Sequence, residues 1–347
     1  MDQRGWIHGR PRRHPADLQA RITAIRDTLT DDPKEFYVGD AAIQQEYEDQ
    51  YPTDPVPGLR YINDILRATE RTKPRQQRRR GTAKYLCYPV ACVARLGDRI
   101  AEVDFIQKFL RGVSDPLHFL SVAFKKPAKL RRILRTQTET TPAAMAATRA
   151  IFDHVGWPDA VRVDPGNVFS GRGERNDGKG RRSIPTYAQF LLEQKIIPVY
   201  GAIRSPWNQA HVEGSNSTFG RNFWGARTFT STKDVDQQLA AFNVCSLKRA
   251  RWDRWERAEP DASWIPRICF IRKVAEDPQT HQGIIPVAST LVPIRRTYIG
   301  LFVFAEWNLK TEALTIFFER EQSIQRLKTI PFLIHPTSRE RCSHFIG

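Results

Sequence analysis

Three carboxylates stand out in the 347-residue sequence because of the strings that hold them. Asp104 lies in EVDFI, an alternating β-branched and aromatic run that reads as a strand. Asp164 follows the short apolar run Ala160 to Val163, in RVDPGNVF, and Glu213 falls in SPWNQAHVEGSN, a stretch of helical character. An ionised carboxylate between Val103 and Phe105 is costly to desolvate unless it is paired, so Asp104 asks for a cation. Taken singly, each acid also has a plainer reading. Asp104 fits the solvent face of its strand, Asp164 fits a cap on the turn at Pro165 and Gly166, and Glu213 fits a helix surface.

The elements that must position these acids occupy residues 81–250. From Ala91 onward VACVARLGDRIAEVDFIQKF alternates as strand, and PLHFLSVAF at Pro116 to Phe124 reads as a second strand. Met145, Thr148, Ile151 and Phe152 then recur at helical spacing between Pro142 and His154. A short strand at Ala160 to Val163, a helix at TYAQFLLEQKI, a strand at IIPVYG and a helix from Asn208 to Trp224 follow. Strands first, then alternating helices and strands, argue for an α/β domain. The Gly/Arg-rich stretch Gly171 to Arg182 reads as a mobile loop and QQRRR at Gln76 to Arg80 as a linker.

Net charge implies a polyanionic partner. Lys and Arg number 54 against 38 Asp and Glu, a formal +16, and residues 81–250 supply +11 of it with 25 basic against 14 acidic side chains. Nucleic acid is the first partner class for such a balance. Lys125, Lys126, Lys129, Arg131, Arg132 and Arg135 form a basic run without an acid, the composition of a phosphate track or of a solvated face. A membrane span is not expected, because the greasiest stretch, Ile299 to Trp307, is broken by Gly300 and Glu306. The start MDQRGWIHGRPRRH lacks the apolar core of a signal peptide, so a cytoplasmic location is expected. The odd number of cysteines, five, does not read as a disulfide framework, and Cys87 and Cys92 have no second pair at zinc-finger spacing.

Residues 1–80 show helical periodicity at Leu18, Ile22, Ile25 and Leu29, a second short helix over Asp40 to Tyr47, and a third from Leu59 to Glu70. The third carries Leu59, Ile62, Ile65 and Leu66 on one face and leads into a basic linker, which favours a helix-turn-helix. Arg60, Tyr61, Asn63, Arg67 and Arg71 are then the candidates for DNA contact; a solvated face in a small bundle is the alternative. Residues 251–347 alternate apolar and polar at CFIRKV, GIIPVA, YIGLFVFAEW, ALTIFFE and LKTIPFLI, which favours a small β-barrel or β-sheet domain.

The three acidic strings together resemble the DDE catalytic core of transposases and retroviral integrases. RVDPGNVF looks like the family's R-x-D-x-G-x-x-F around the second aspartate. RSPWNQAHVEGSNSTFGRNFW is similar to P-x-x-N-G-x-x-E-x-x-N around the glutamate, with Ala210 where the family often has Gly, and EVDFIQKF is similar to the surroundings of the first aspartate. The resemblance covers roughly 91–250, and by extension the chain resembles an insertion-sequence transposase. It implies an α/β fold with an RNase H-like integrase core over 81–250, preceded by a helix-turn-helix region over 1–80 and followed by a C-terminal small β-barrel over 251–347, which would bind DNA or multimerise.

The resemblance also implies a chemistry: metal-dependent hydrolysis of DNA at the element's terminal inverted repeats, then attack of the freed 3′ hydroxyl on target DNA, by a homo-oligomer assembled on DNA. Asp104, Asp164 and Glu213 would be the catalytic residues and the ligands of two Mg²⁺ ions, for which Mn²⁺ would substitute. Asp104 would bridge both ions, Asp164 would hold one and Glu213 the other. Asn208 and Asn216 would orient Glu213 or touch the DNA strand, and His211 and Arg221 would contact phosphate. Two departures accompany the likeness. Asp164 and Glu213 stand 49 positions apart, farther than is usual in the family, and Gly214 takes a position where many relatives are basic. The competing expectation is a catalytically inactive, transposase-derived DNA-binding regulator.

Overall fold

The computed structural model describes residues 17–72, 88–126, 129–170, 180–202, 210–252, 264–321 and 323–346. The chain forms two compact units, 1–83 and 84–347.

In the first unit, α1 (Leu18–Asp31), α2 (Asp40–Gln50) and α3 (Leu59–Ala68) each bury one stripe. Leu18, Ile22, Ile25 and Leu29 of α1 meet Ala42, Ile43 and Tyr47 of α2 and Ile62, Ile65 and Leu66 of α3, the three- and four-residue spacing that puts side chains on one helix face. Leu59, expected on the apolar face, is 41% exposed, because it opens α3 at the rim of this core. Arg21 closes the unit with polar contacts, donating to Asp17 and Asp54 at 2.6 Å each.

The second unit opens with a short helix, α4 (Val90–Ala94), where strand was expected. The strand begins only at β1 (Ile100–Lys108), followed by β2 (Leu117–Phe124), β3 (Arg131–Thr136), α5 (Thr141–Val155), β4 (Ala160–Val163) and α6 (Asn167–Ser170). Then come β5 (Arg181–Arg182), α7 (Thr186–Glu193), β6 (Ile197–Tyr200), α8 (Ala210–Thr218), a π-helical turn over Phe219–Trp224, and α9 (Thr232–Arg249). The remaining elements are β7 (Arg267–Lys273), β8 (Ala275–Glu276), β9 (Gly283–Val287), β10 (Thr290–Ile294), β11 (Phe302–Asn308), β12 (Ala313–Arg320), β13 (Ser323–Pro331), β14 (Leu333–Ile334), α10 (Pro336–Arg341) and α11 (Ser343–Ile346).

One nine-stranded mixed sheet, ordered β13-β12-β11-β7-β6-β4-β1-β2-β3, organises this unit. β1 pairs antiparallel with β2 and parallel with β4, β4 pairs parallel with β6, and β6 pairs parallel with β7. Side chains alternate between its two faces. Ala101, Val103, Val161, Val163, Ile268 and Phe270 enter one core with α5 and α7, while Ile100, Ala160, Ile197, Val199, Cys269 and Ile271 enter a second one.

Four of the five strands expected in a C-terminal small β-barrel or β-sheet domain, β7, β11, β12 and β13, extend this sheet instead. The run at β7 is buried on both faces, Ile268, Cys269, Phe270 and Ile271 all lying inside, as befits a central strand between β6 and β11. The buried Arg272 fastens the junction by donating to the carbonyls of Tyr200, Gly201 and Pro286. β8, β9 and β10 form a small antiparallel sheet of their own. The far end of the Gly/Arg-rich stretch is likewise built into the fold. Arg181–Arg182 pairs with Leu333–Ile334, and the Arg182 guanidinium lies 3.8 Å over the Phe332 ring; residues 171–179 lie outside the described residues.

At the opposite end, β3 is an edge strand that α9 covers. Asn243 of α9 accepts from the Ile133 amide at 2.9 Å and donates to the Ile133 carbonyl at 2.7 Å, substituting for a neighbouring strand.

Candidate active site

The parallel pairing of β1 with β4 brings the first two acids together. Glu102 is opposite Arg162 in the register, and Asp104 and Asp164 lie two residues further along each strand line. Period-two alternation places Glu102, Asp104, Arg162 and Asp164 on the same sheet face, opposite the Val103 and Val163 core. α8 lies against this face. Val212 and Ser215 are its buried positions, and Ser215 Oγ is 3.4 Å from Ser121 Oγ on β2, the residue registered with Asp104.

Two polar ties fix α8 to β1. Glu102 Oε2 accepts hydrogen bonds from the backbone amides of His211 and Val212, both at 3.0 Å, and Asn216 Nδ2 donates to Asp104 Oδ2 at 2.9 Å. Glu213, immediately after Val212, is thereby held over the same sheet face. The π-helical turn that continues α8 packs Phe219 and Phe223 against Phe119 and Phe242, anchoring the far end of the helix.

Electrostatics mark the acids as an under-compensated group. Asp104 is pushed up to about 6, chiefly by burial and further by the charge of Asp164, against the lowering effect of the Phe105 amide. Asp164 is raised by loss of water around its carboxyl group, although it lies exposed at the end of its strand. Glu213 is raised by burial, then by the charges of Glu102 and Asp164. Asp164 thus acts on both of the others. Among the described residues no group of three or more His, Cys, Asp or Glu side chains is arranged to hold a metal ion, so the trio shares one field without converging on one point. Asn216 Oδ1 is buried and takes no hydrogen bond among the described residues. An orphaned oxygen beside a carboxyl starved of positive charge is donor chemistry that fits a hydrated divalent cation.

The other expected residues separate. Asn208 lies outside the described residues. His211 serves through its backbone amide, while its side chain is exposed; Arg221 is exposed and its Nε reaches the Ser217 carbonyl at 3.3 Å. In the basic run, Lys126 sits 3.2 Å from Asp98, Lys129 is exposed, and Lys125 and Arg132 are half-buried. Arg131 Nε donates to the Lys129 carbonyl at 3.3 Å, and Arg135 is engaged by both oxygens of Asp236 on α9, at 2.6 and 2.7 Å. In the first unit Arg60 and Arg67 are exposed and Tyr61 is 49% exposed, whereas Asn63 donates to Asp40 and Arg71 is held by both oxygens of Asp27. Trp224 packs on Phe119 and Phe229 as scaffold.

Glu102 and, beyond its place in R-x-D-x-G-x-x-F, Arg162 escaped the sequence analysis, as did Glu139. Glu139, whose charge also raises Asp104, accepts from Gln107 Nε2 at 2.7 Å. A signal for the first two was present: a charged residue stands two positions before each aspartate, on the same face of each strand, and the two are opposite in sign.

No protein-family model matches the sequence, and no curated protein matches it either. Among solved structures, the chain is similar to an intasome of simian T-cell lymphotropic virus in complex with a PP2A regulatory subunit, at 13% identity and a TM-score of 0.37, covering 86% of this chain and 96% of that one. It is similar to the HTLV-2 integrase catalytic core domain in complex with magnesium at 11% identity and a TM-score of 0.29, covering 40% of this chain and 81% of that one. The NurA nuclease from Sulfolobus solfataricus matches at 7% identity and a TM-score of 0.20, covering 74% of each chain. No helix among the described residues is long and apolar enough to cross a membrane.

Proposed function

We propose that this chain is a DDE-type transposase, a polynucleotidyl transferase that cuts DNA at the ends of a mobile element and joins them to target DNA. One observation carries the reading. Asp104 and Asp164, 60 positions apart, lie on one sheet face, Glu213, 49 positions further on, lies on the helix packed against it, and burial together with the charge of Asp164 raises both Asp104 and Glu213.

Those three carboxylates are the residues that would hold Mg²⁺ or Mn²⁺. When bound, such ions supply a deprotonated oxygen nucleophile and neutralise the leaving oxygen of an in-line displacement at phosphorus. The chain's own groups orient the reaction. Asn216 fixes one oxygen of Asp104, and the surrounding Lys and Arg excess of the 81–250 block grips backbone phosphates. No covalent enzyme intermediate is required, so no activated Ser, Cys or Tyr is needed. The exposed face of α3, with Arg60, Tyr61 and Arg67, serves as the helix-turn-helix contact to DNA, where its groups reach phosphates and base edges.

The test is DNA carrying the element's own terminal repeats, incubated with purified protein and Mg²⁺ or Mn²⁺. Nicking at the ends and joining to a target are expected, and Asp164→Asn should abolish both while retaining DNA binding. Equal activity in that variant would remove the metal assignment. Cleavage without joining would make the protein a nuclease, and binding without reaction by the wild type would make it a regulator.

A further inference from the structure

We propose that the buried Glu102–Arg162 pair is a positioning clamp: it fixes the first turn of α8, and with it Glu213, against the strand face that carries Asp104. The inference rests on the catalytic reading of Asp104, Asp164 and Glu213.

α8 has little of its own to hold it in register. Its sequence, AHVEGSNST, contains Gly214, Ser215, Asn216, Ser217 and Thr218, all weaker helix formers than Ala or Leu, and buries only Val212 and Ser215. A nine-residue helix with so small an apolar stripe is marginal by itself. Its C-terminal end is secured by the aromatic cluster at Phe219 and Phe223, but Glu213 lies six residues upstream, about 9 Å along a helix, with Gly214 between. The N-terminal end needs its own anchor.

Glu102 supplies it from another element. Glu102 is 1% exposed; Oε2 accepts from the amides of His211 and Val212, and Oε1 accepts from Arg162 Nη1 at 2.9 Å. A carboxylate against the first amides of a helix satisfies orphan donors and meets the positive end of the helix dipole. The pair is poorly explained as a stabiliser. Arg162 Nε and Nη2 are buried and make no hydrogen bond among the described residues, and a buried ion pair often stabilises no more than apolar side chains of the same volume. What the pair does provide is direction. With Oε1 occupied by Arg162, whose guanidinium is braced 5.1 Å over the Tyr88 ring, Oε2 can only face α8.

The clamp is tested on the full chain by amide hydrogen exchange and by Mn²⁺-dependent nicking of DNA that carries the element's terminal repeats. In Glu102→Ala, exchange across residues 210–218 should speed up by roughly tenfold to a hundredfold while β2 and α9 stay protected. Glu102→Gln, which keeps an acceptor at the same reach, should fall between wild type and Glu102→Ala. The kcat for nicking should drop in the same order, with KM for DNA unchanged. Unaltered exchange at 210–218 in Glu102→Ala would overturn the clamp, as would equal acceleration throughout the sheet or a rise in KM with kcat intact. If Glu102→Ala does not fold, Glu102→Gln and Arg162→Lys decide by the same readings. If the wild type itself does not nick DNA, the catalytic reading fails, while exchange at 210–218 still decides the clamp.

Discussion

Asn216 on α8 donates its side-chain amide to Oδ2 of Asp104 on β1 at 2.9 Å, joining residues 112 positions apart. The Phe105 amide takes Oδ1 at 2.9 Å, so both oxygens of the carboxyl are directed, yet neither donor carries a full positive charge. Burial, and after it the charge of Asp164, therefore outweighs these two hydrogen bonds and pushes Asp104 up to about 6, well above an ordinary aspartate.

Asp104 should therefore make stability depend on pH in an unusual direction for an aspartate. In the folded chain its carboxyl holds its proton to about pH 6, whereas the unfolded chain releases it near the ordinary value. Its favourable contribution is present at low pH and is lost as pH rises through 6. Without divalent cations, Asp104→Asn should be more stable than the wild type by about 1–2 kcal/mol at pH 7.5, with the gain gone by about pH 4. Denaturant titrations at the two pH values decide it, and an Asn variant less stable at the higher pH would refute it. Mg²⁺ should raise the Tm of the wild type and raise that of the variant less.

Asn243 should be indispensable to the β3 edge. Asn243→Ala leaves the Ile133 amide and carbonyl without partners in a buried place, at a cost of about 1–3 kcal/mol. Asn243→Asp loses the donor and adds a charge, so it should cost more. Equilibrium unfolding measures both; an Ala variant as stable as the wild type would show that the edge does not need its cap.

Gly214 offers the reverse experiment. Among the described residues, no atom outside its own helix backbone lies within 4 Å of where its Cβ would be, and its backbone is helical, so Gly214→Ala should stabilise the chain by roughly 0.5–1 kcal/mol. Exchange at residues 210–218 should slow. A destabilised Ala variant would mean that α8 must bend at this point.

The arginines of the first unit should divide by how firmly they are held, since among the described residues Arg67 meets only Asp64, at 3.9 Å in an exposed pair, whereas Arg71 is gripped by both oxygens of Asp27. Replacing Arg60 and Arg67 together by Ala should weaken duplex DNA binding and lower the slope of log affinity against log salt by about 1–2. Arg71→Ala should leave that slope unchanged, because both Asp27 oxygens already hold its guanidinium. Salt titrations of DNA binding by the full chain distinguish the two, and an equal effect of Arg71 would show that its ion pair opens to DNA.

Much of the local structure is legible in the sequence. The helical spacing of Leu18, Ile22, Ile25 and Leu29, the strand alternation around Asp104, and the short runs at β4 and β6 are periodicities that one face of burial imposes on neighbouring residues. The start of the first strand was placed too early, at α4, where VACVA carries residues that suit either state and only packing chooses. The basic run at Lys125 to Arg135 was legible as charge but not as partners: Arg135 belongs to Asp236, more than a hundred positions away.

The sequence by itself determined which residues could act, the three acids and their strand and helix settings, because side-chain chemistry and period are local properties. Only the tertiary structure decided which strand edges meet, so that β7 joins β6 rather than closing a separate barrel, and which buried charges face each other, so that Glu102 reaches α8 past Arg162. Hydrogen-bond and ion-pair partners are set by distance in space, and a side chain's period along the chain carries no record of what will stand opposite it.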